Sequence, residues 1–278
     1  MRLSVVQMVP GSDKTENIAQ ARKLIEAALA ADRPDIVSLP EMWTCLGGNR
    51  ATKFAAAEDL PARGSNAPGG VAYEFLRGMA RTHRIHVHGG SMGEKGGEKL
   101  FNTTVVFNPE GAEIARYRKI HMFDIVTPDG KGYKESSTYG WGDQLVTYEA
   151  GGIKVGCAIC YDVRFPEMFL QLRQAGAEVI FLPSAFTLQT GKDHWEVLLR
   201  ARAIETQCWF AAPATFGQHL DGGGEPRFTY GHSMIVDPWG HVVARVSDGQ
   251  GFATARIDPA LSRRLRRDMP VLEHRKLV

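Results

Sequence analysis

Apolar and polar positions along this chain follow two rhythms, a period of two and a period near three and a half, and the two alternate almost to the end. Arg2–Met8 has the composition of a buried strand. Ile18, Ala21, Leu24, Ile25, Ala28 and Leu29 then recur at helical spacing, with Ser12 or Asp13 placed to cap the helix they predict. Asp35–Leu39 is a short apolar run stopped by Pro40, which leaves Glu41 just past its end. A helix is expected over Gly70–Arg81, followed by strands at Ile85–Gly90, Thr103–Asn108 and Glu113–Lys119. The last two are joined by the turn residues Asn108-Pro109-Glu110-Gly111. A second series runs strand Ile153–Ile159, helix Pro166–Ala175, strand Glu178–Leu182, helix His194–Thr206 and strand Cys208–Pro213. Three more strands close it, Gly231–Asp237, His241–Arg245 and Gly251–Ile257, with a turn at Asp237-Pro238-Trp239-Gly240. Alternation of this kind predicts an α/β fold.

Two stretches break the rhythm. Thr127 to Asp143 is polar and aperiodic, and loops of that length in compact proteins usually serve as lids or binding loops. Gln218–Pro226 is rich in glycine. No internal repeat, linker or shift in composition divides the 278 residues, so one domain over 1–278 is expected, with the segment 259–278 a candidate subunit contact. A net charge of +2 gives no global attraction to nucleic acid or to a membrane. The basic run Ser262 to Arg267 is short enough to be a solvated helix face or a subunit contact. No apolar stretch is long enough to span a bilayer and no targeting segment is evident. Four cysteines in a chain of this length are too few for a disulfide scaffold, and a cytoplasmic location is expected.

Three positions at the ends of predicted core strands carry chemistry. Cys160 ends the apolar run KVGCAIC and is followed at once by a turn and by a helix beginning near Pro166. Such an elbow exposes a nucleophile, and a nearby helix N-terminus is expected to lower the thiol pKa. The competing readings are a buried structural cysteine, or a redox or metal pair with Cys157; no second C-x-x-C exists to support the latter. His83, His86 and His88 match no strong metal-ligand spacing. Glu41 and Lys119 are charged groups at strand ends, where open sheets place catalytic residues, although either one alone would pass for a solvated terminus.

Taken together, LPE at 39–41, YRKIHMFD at 117–124 and GCAICYDVRFPE at 156–167 resemble, in order and spacing, the three catalytic motifs of the nitrilase (carbon–nitrogen hydrolase) family. The resemblance extends over nearly the whole chain. It implies a four-layer α-β-β-α sandwich, assembled as a homodimer or a larger homo-oligomer. It also implies that Cys160 attacks an amide carbonyl, that Glu41 takes the thiol proton, and that Lys119 with the backbone N–H of Tyr161 stabilises the oxyanion. Glu135 matches a further glutamate that orients the site. A cysteine thioester would form and be cleaved by water, with no metal or organic cofactor.

PSAFTLQTGKDHWEVLLRARAIETQ (183–207) and YGHSMIVDPWG (230–240) resemble the branch acting on deaminated glutathione and on ω-amides of 2-oxo dicarboxylates. The first reaction would release 2-oxoglutarate and cysteinylglycine, the second ammonia. In that branch Arg164 matches the position that binds a substrate carboxylate, and Phe186 and Thr190 match other pocket positions. An ion pair of Arg164 with Asp162 or Glu167 is the simpler alternative. The sequence departs from the branch at Lys192-Asp193, in the loop Gly217–Arg227 and in the lid segment Gly130–Gly142. The expected partner is therefore a small amide. A nitrilase, an N-carbamoyl amidase or a non-catalytic binding protein of the same fold are the alternatives.

Overall fold

The computed structural model describes residues 1–65, 67–127, 130–219 and 227–276. Two mixed sheets are stacked with helices on their outer faces. The first has eight strands, in the order Gly251–Arg256, Arg2–Gln7, Ile36–Ser38, His86–His88, Leu100–Phe107 and Met92–Lys95, with Glu113–Arg118 and Tyr139–Gly140 also paired to Leu100–Phe107. The second has six, Thr147–Ala150, Ile153–Cys157, Val179–Phe181, Trp209–Ala212, Met234–Val236 and Val242–Arg245. Arg2–Gln7 shows how the layers are made. Its Leu3 and Val5 turn into the core shared with Val155 and Phe210 of the second sheet. Val6 on the opposite face packs with Ala21, Leu24 and Ile25 of helix Lys14–Asp32 and with Leu76 and Met79 of helix Val71–His83. On the far side Phe169, Leu172, Trp195 and Leu199, from helices Pro166–Gln174 and Leu188–Thr206, cover the second sheet. This is an α-β-β-α sandwich, with strands buried on both faces as their near-continuous apolar runs require.

Most predicted elements are present with ends moved by one to three residues. Asp13 caps the first helix, accepting from the N–H groups of Thr15 and Glu16. The turns at Asn108–Gly111 and Asp237–Gly240 connect antiparallel neighbours. The larger differences have local causes. The helix expected from His194 starts at Leu188, because Thr187 accepts from Thr190 N–H and caps it six residues earlier. The aperiodic stretch from Thr127 is only partly a loop. A hairpin, Asp124–Val126 with Gly132–Lys134, leads into a 3-10 turn at Glu135–Ser137, and Tyr139–Gly140 then joins the edge of the first sheet. Pieces of two or three residues are too short to show a period. Strands Met92–Lys95 and Thr147–Ala150 have four residues each, and helix Arg50–Ala56 has seven with none of them buried, so these carry no clear apolar period either. The basic run lies on helix Pro259–Asp268, where Arg266 donates to Ala177 O and Arg263 pairs with Glu178. Of the Gly-rich loop, residues 220–226 lie outside the described residues; Phe216–His219 and Arg227–Tyr230 on either side of it pair as a hairpin.

Candidate active site

The first sheet supplies the charges. Pro40 ends Ile36–Ser38, and Glu41 follows on a chain that doubles back, with Met42 in the left-handed region (φ 49°). Ser91 holds this bend, its Oγ accepting from Met42 N–H and its carbonyl from Trp43 N–H. Gly90 allows it, since a Cβ there would come within 2.2 Å of Pro40 O. Lys119 comes one residue after Glu113–Arg118, and its backbone N–H donates to Asn102 O on the adjacent strand. Glu135 opens the 3-10 turn and accepts from Phe123 N–H.

These side chains meet in a closed set of contacts. Lys119 Nζ stands 2.9 Å from Glu41 Oε1 and 2.9 Å from Glu135 Oε2. Asn102 Nδ2 donates to the same two carboxylates, at 2.9 Å to Glu41 and 3.3 Å to Glu135. Burial alone would lower the Lys119 pKa, but Glu135 and Glu41 outweigh it and hold the ammonium charged well above its ordinary range.

The second sheet supplies the thiol. Strand Ile153–Cys157 ends, and three residues later Cys160 stands in the left-handed region at φ 47°, with its N–H donating to Pro183 O. A non-glycine residue with this backbone is held there by its surroundings. Asp162, wholly buried, fixes the elbow by accepting from Ile159 N–H (2.9 Å) and Tyr117 Oη–H (2.6 Å). Its other oxygen accepts from His121 N–H at 3.0 Å and meets His121 Nδ1 at 2.7 Å. One carboxylate therefore joins the turn carrying Cys160 to the segment carrying Lys119.

The expected lowering of the Cys160 pKa is not what the structure gives. Burial and the Glu41 carboxylate push the thiol well above its ordinary value, against Lys119 and the Ala185 N–H, which pull it down. The helix that was to lower it begins at Pro166, with a 3-10 turn between. A pKa raised in this way favours the neutral thiol over the thiolate at neutral pH. Cys157 lies inside its strand, completely buried, and desolvation raises its pKa too. Among the described residues no cluster of His, Cys, Asp and Glu could hold a metal ion.

Glu41, Lys119, Glu135, Cys160, Phe186 and Thr190 all line one cavity of about 240 Å³, and Tyr161 lies beside them. The N–H groups flanking Tyr161 are engaged, Cys160 with Pro183 O and Asp162 with Ile159 O. That of Tyr161 has no backbone acceptor among the described residues. Arg164 stands behind the wall: its guanidinium lies 5.8 Å from the Tyr161 ring centre and 5.5 Å from that of Phe186, with Nη2 3.3 Å from His194 Nδ1. Among the described residues it forms no ion pair with Asp162 or Glu167. Sequence reasoning missed Asn102, Asp162 and the rim residues Tyr133 and Arg227. Asn102 did leave a signal, as an amide in the apolar strand LFNTTVVF.

The carbon-nitrogen hydrolase family profile matches residues 2–267. This chain belongs to that family. It is 40% identical to the deaminated glutathione amidase of Synechocystis sp. (strain PCC 6803 / GT-S), over 99% of this chain and 98% of that protein. The crystal structure of Saccharomyces cerevisiae Nit3, a member of branch 10 of the nitrilase superfamily, superposes with a TM-score of 0.86 at 29% identity, covering 100% of this chain and 97% of that one. The C. elegans NitFhit crystal structure gives a TM-score of 0.87 at 36% identity over 99% of this chain, which spans 65% of the NitFhit chain. The expected family and the expected α-β-β-α fold are both borne out.

Proposed function

We propose that this carbon–nitrogen hydrolase is an amidase that cleaves deaminated glutathione, or an ω-amide of a 2-oxo dicarboxylate, through a thioester on Cys160. The observation that carries the mechanism is the meeting of Cys160, Glu41 and Lys119 in one cavity, with Lys119 Nζ pinned between Glu41 and Glu135. As Sγ attacks the amide carbonyl, Glu41 accepts the thiol proton and the carbonyl oxygen takes up charge. Lys119 and the Tyr161 N–H stabilise that oxyanion. The carbon–nitrogen bond breaks, and Glu41 returns its proton to the leaving nitrogen. Water then attacks the thioester, giving a proton to Glu41 that goes back to the departing sulfur, and the carboxylic acid is released. Glu135 positions Lys119. The kinship to deaminated glutathione amidase supports the substrate class, with Arg164, Phe186 and Thr190 serving the carboxylate of the acyl half. The whole chain acts as one domain. The exposed Val197, Ile204 and Trp239, on helix Leu188–Thr206 and the neighbouring turn, support assembly as a homo-oligomer, which light scattering would test. All four cysteines are buried and none forms a disulfide among the described residues, which supports a cytoplasmic setting, and no described helix is long and apolar enough to cross a membrane.

The test is hydrolysis of deaminated glutathione, 2-oxoglutaramate, an aliphatic nitrile and an N-carbamoyl amino acid, with wild type beside Cys160→Ala. Turnover of an amide that vanishes in the variant supports the proposal. Preference for the nitrile or the carbamoyl compound keeps the nucleophile and discards the substrate class. No turnover of any of the four discards the enzyme.

A further inference from the structure

The cavity carries more positive charge than its reacting centre uses. Lys134 and Arg227 line it beside Lys119, and among the described lining residues the carboxylates are Glu41 and Glu135, both already held by Lys119. Arg227 is the most defined of the remaining cations. Its guanidinium lies over the Tyr133 ring, 5.4 Å from the ring centre, and its Nε–H is buried with no hydrogen-bond partner among the described residues. A buried unsatisfied donor on a permanent cation is costly unless a ligand completes it.

Its placement relative to Arg164 suggests which ligand. Tyr133, Phe123 and Tyr161 form an aromatic arc, with ring centres 5.3 Å apart for the first pair and 5.2 Å for the second. Arg227 lies over the ring at one end of this arc and Arg164 over the ring at the other. Ring contacts thus run from Arg227 through Tyr133 and Phe123 to Tyr161, the residue after Cys160, so Arg227 lines the cavity from its rim hairpin while Arg164, which does not line it, stacks on the elbow itself.

We propose that Arg227 binds the terminal carboxylate of the amine half of the substrate, the half that leaves when the acyl-enzyme forms. This rests on the amidase reading above and narrows it to dicarboxylates whose amine product is itself an amino acid or dipeptide. A guanidinium can grip such a carboxylate through two parallel N–H bonds.

The discriminating experiment uses deaminated glutathione, the same compound with its glycine carboxylate converted to a carboxamide, and 2-oxoglutaramate, which has no carboxylate on its leaving group. Wild type should favour the acid over the carboxamide by about tenfold or more in kcat/KM, as expected for a charge-assisted hydrogen bond. Arg227→Leu should lose that preference through KM, while its kcat/KM for 2-oxoglutaramate stays within about twofold of wild type. Arg227→Lys should retain part of the preference. As a check independent of any variant, cysteinylglycine should inhibit wild type and its C-terminal amide should not. Wild type that turns over 2-oxoglutaramate but treats acid and carboxamide alike overturns the role of Arg227 and leaves the amidase reading standing. Equal losses on all three compounds in Arg227→Leu also overturn it. Failure of wild type on all three defeats the amidase reading and this inference with it.

Discussion

The floor and the rim of the cavity are built on opposite plans. On the floor, Glu41, Lys119 and Cys160 each follow a core strand, and hydrogen bonds from or to Asn102, Ser91, Pro183 and Asp162 position them. At the rim, Tyr133 and Arg227 come from short hairpins, are only partly buried, and touch through ring faces. Under the proposed mechanism a floor of that kind would fix the reacting atoms before substrate arrives, which is what oxyanion stabilisation requires. A rim with spare positive charge can differ from relative to relative without disturbing the chemistry. The floor should therefore respond to substitution in rate and stability, and the rim in substrate preference.

The largest effect expected is at the nucleophile. Cys160→Ala should cost on the order of 10⁴-fold or more in turnover, whereas Cys157→Ser, three residues away but inside the strand, should keep its rate within a few-fold of wild type. Comparable losses in the two variants would erase the distinction between elbow and strand. Lys119→Met comes next, because it leaves the Glu41 and Glu135 carboxylates buried without their cation. A loss of about 3–5 kcal/mol in urea unfolding is expected at neutral pH. The raised Lys119 pKa sets the window in wild type: its contribution is complete below the ordinary lysine value of 10.5 and is lost only as pH climbs through the higher folded value. Asp162→Ala should cost about 3 kcal/mol by stranding the donors of Ile159, Tyr117 and His121. It should slow turnover as well; unchanged kinetics would show that the elbow holds its shape alone.

The thiol provides a smaller and more graded test. With the Cys160 pKa raised above 9.0, alkylation by iodoacetamide should accelerate steadily through pH 9, and a plateau below pH 8 would indicate a preformed thiolate instead. Least of all, Arg263→Ala removes a surface pair with Glu178 and should shift stability by under about 0.5 kcal/mol, leaving the mass measured by light scattering unchanged.

The same division separates what could be read in the sequence from what could not. Glu41, Lys119 and Cys160 were legible because each follows a long apolar run, and their three motifs stand in a recognisable order. The strands and the larger helices were legible from periodicity. Asp162 was not, since its four donors come from segments about 40 residues earlier as well as from its own turn, and sequence spacing says nothing of such a meeting. The thiol pKa was misjudged for a related reason: the chain shows a helix ahead of Cys160, but not the depth of burial or the neighbouring carboxylate. The rim stayed hidden because its hairpins are three or four residues long, and Arg227 reaches the cavity only through the pairing of Phe216–His219 with Arg227–Tyr230.

The hydrogen bond from Tyr117 to Asp162 has a mechanical meaning beyond the elbow it steadies. Under the proposed mechanism proton handling belongs to one sheet and the nucleophile to the other, so catalysis would depend on the alignment of two stacked layers, with this bond as a rivet through the seam. A sandwich whose layers slide, with every strand still paired, would keep its circular dichroism and lose its turnover. Activity in this protein is therefore a finer gauge of how its two sheets register than any measure of secondary structure.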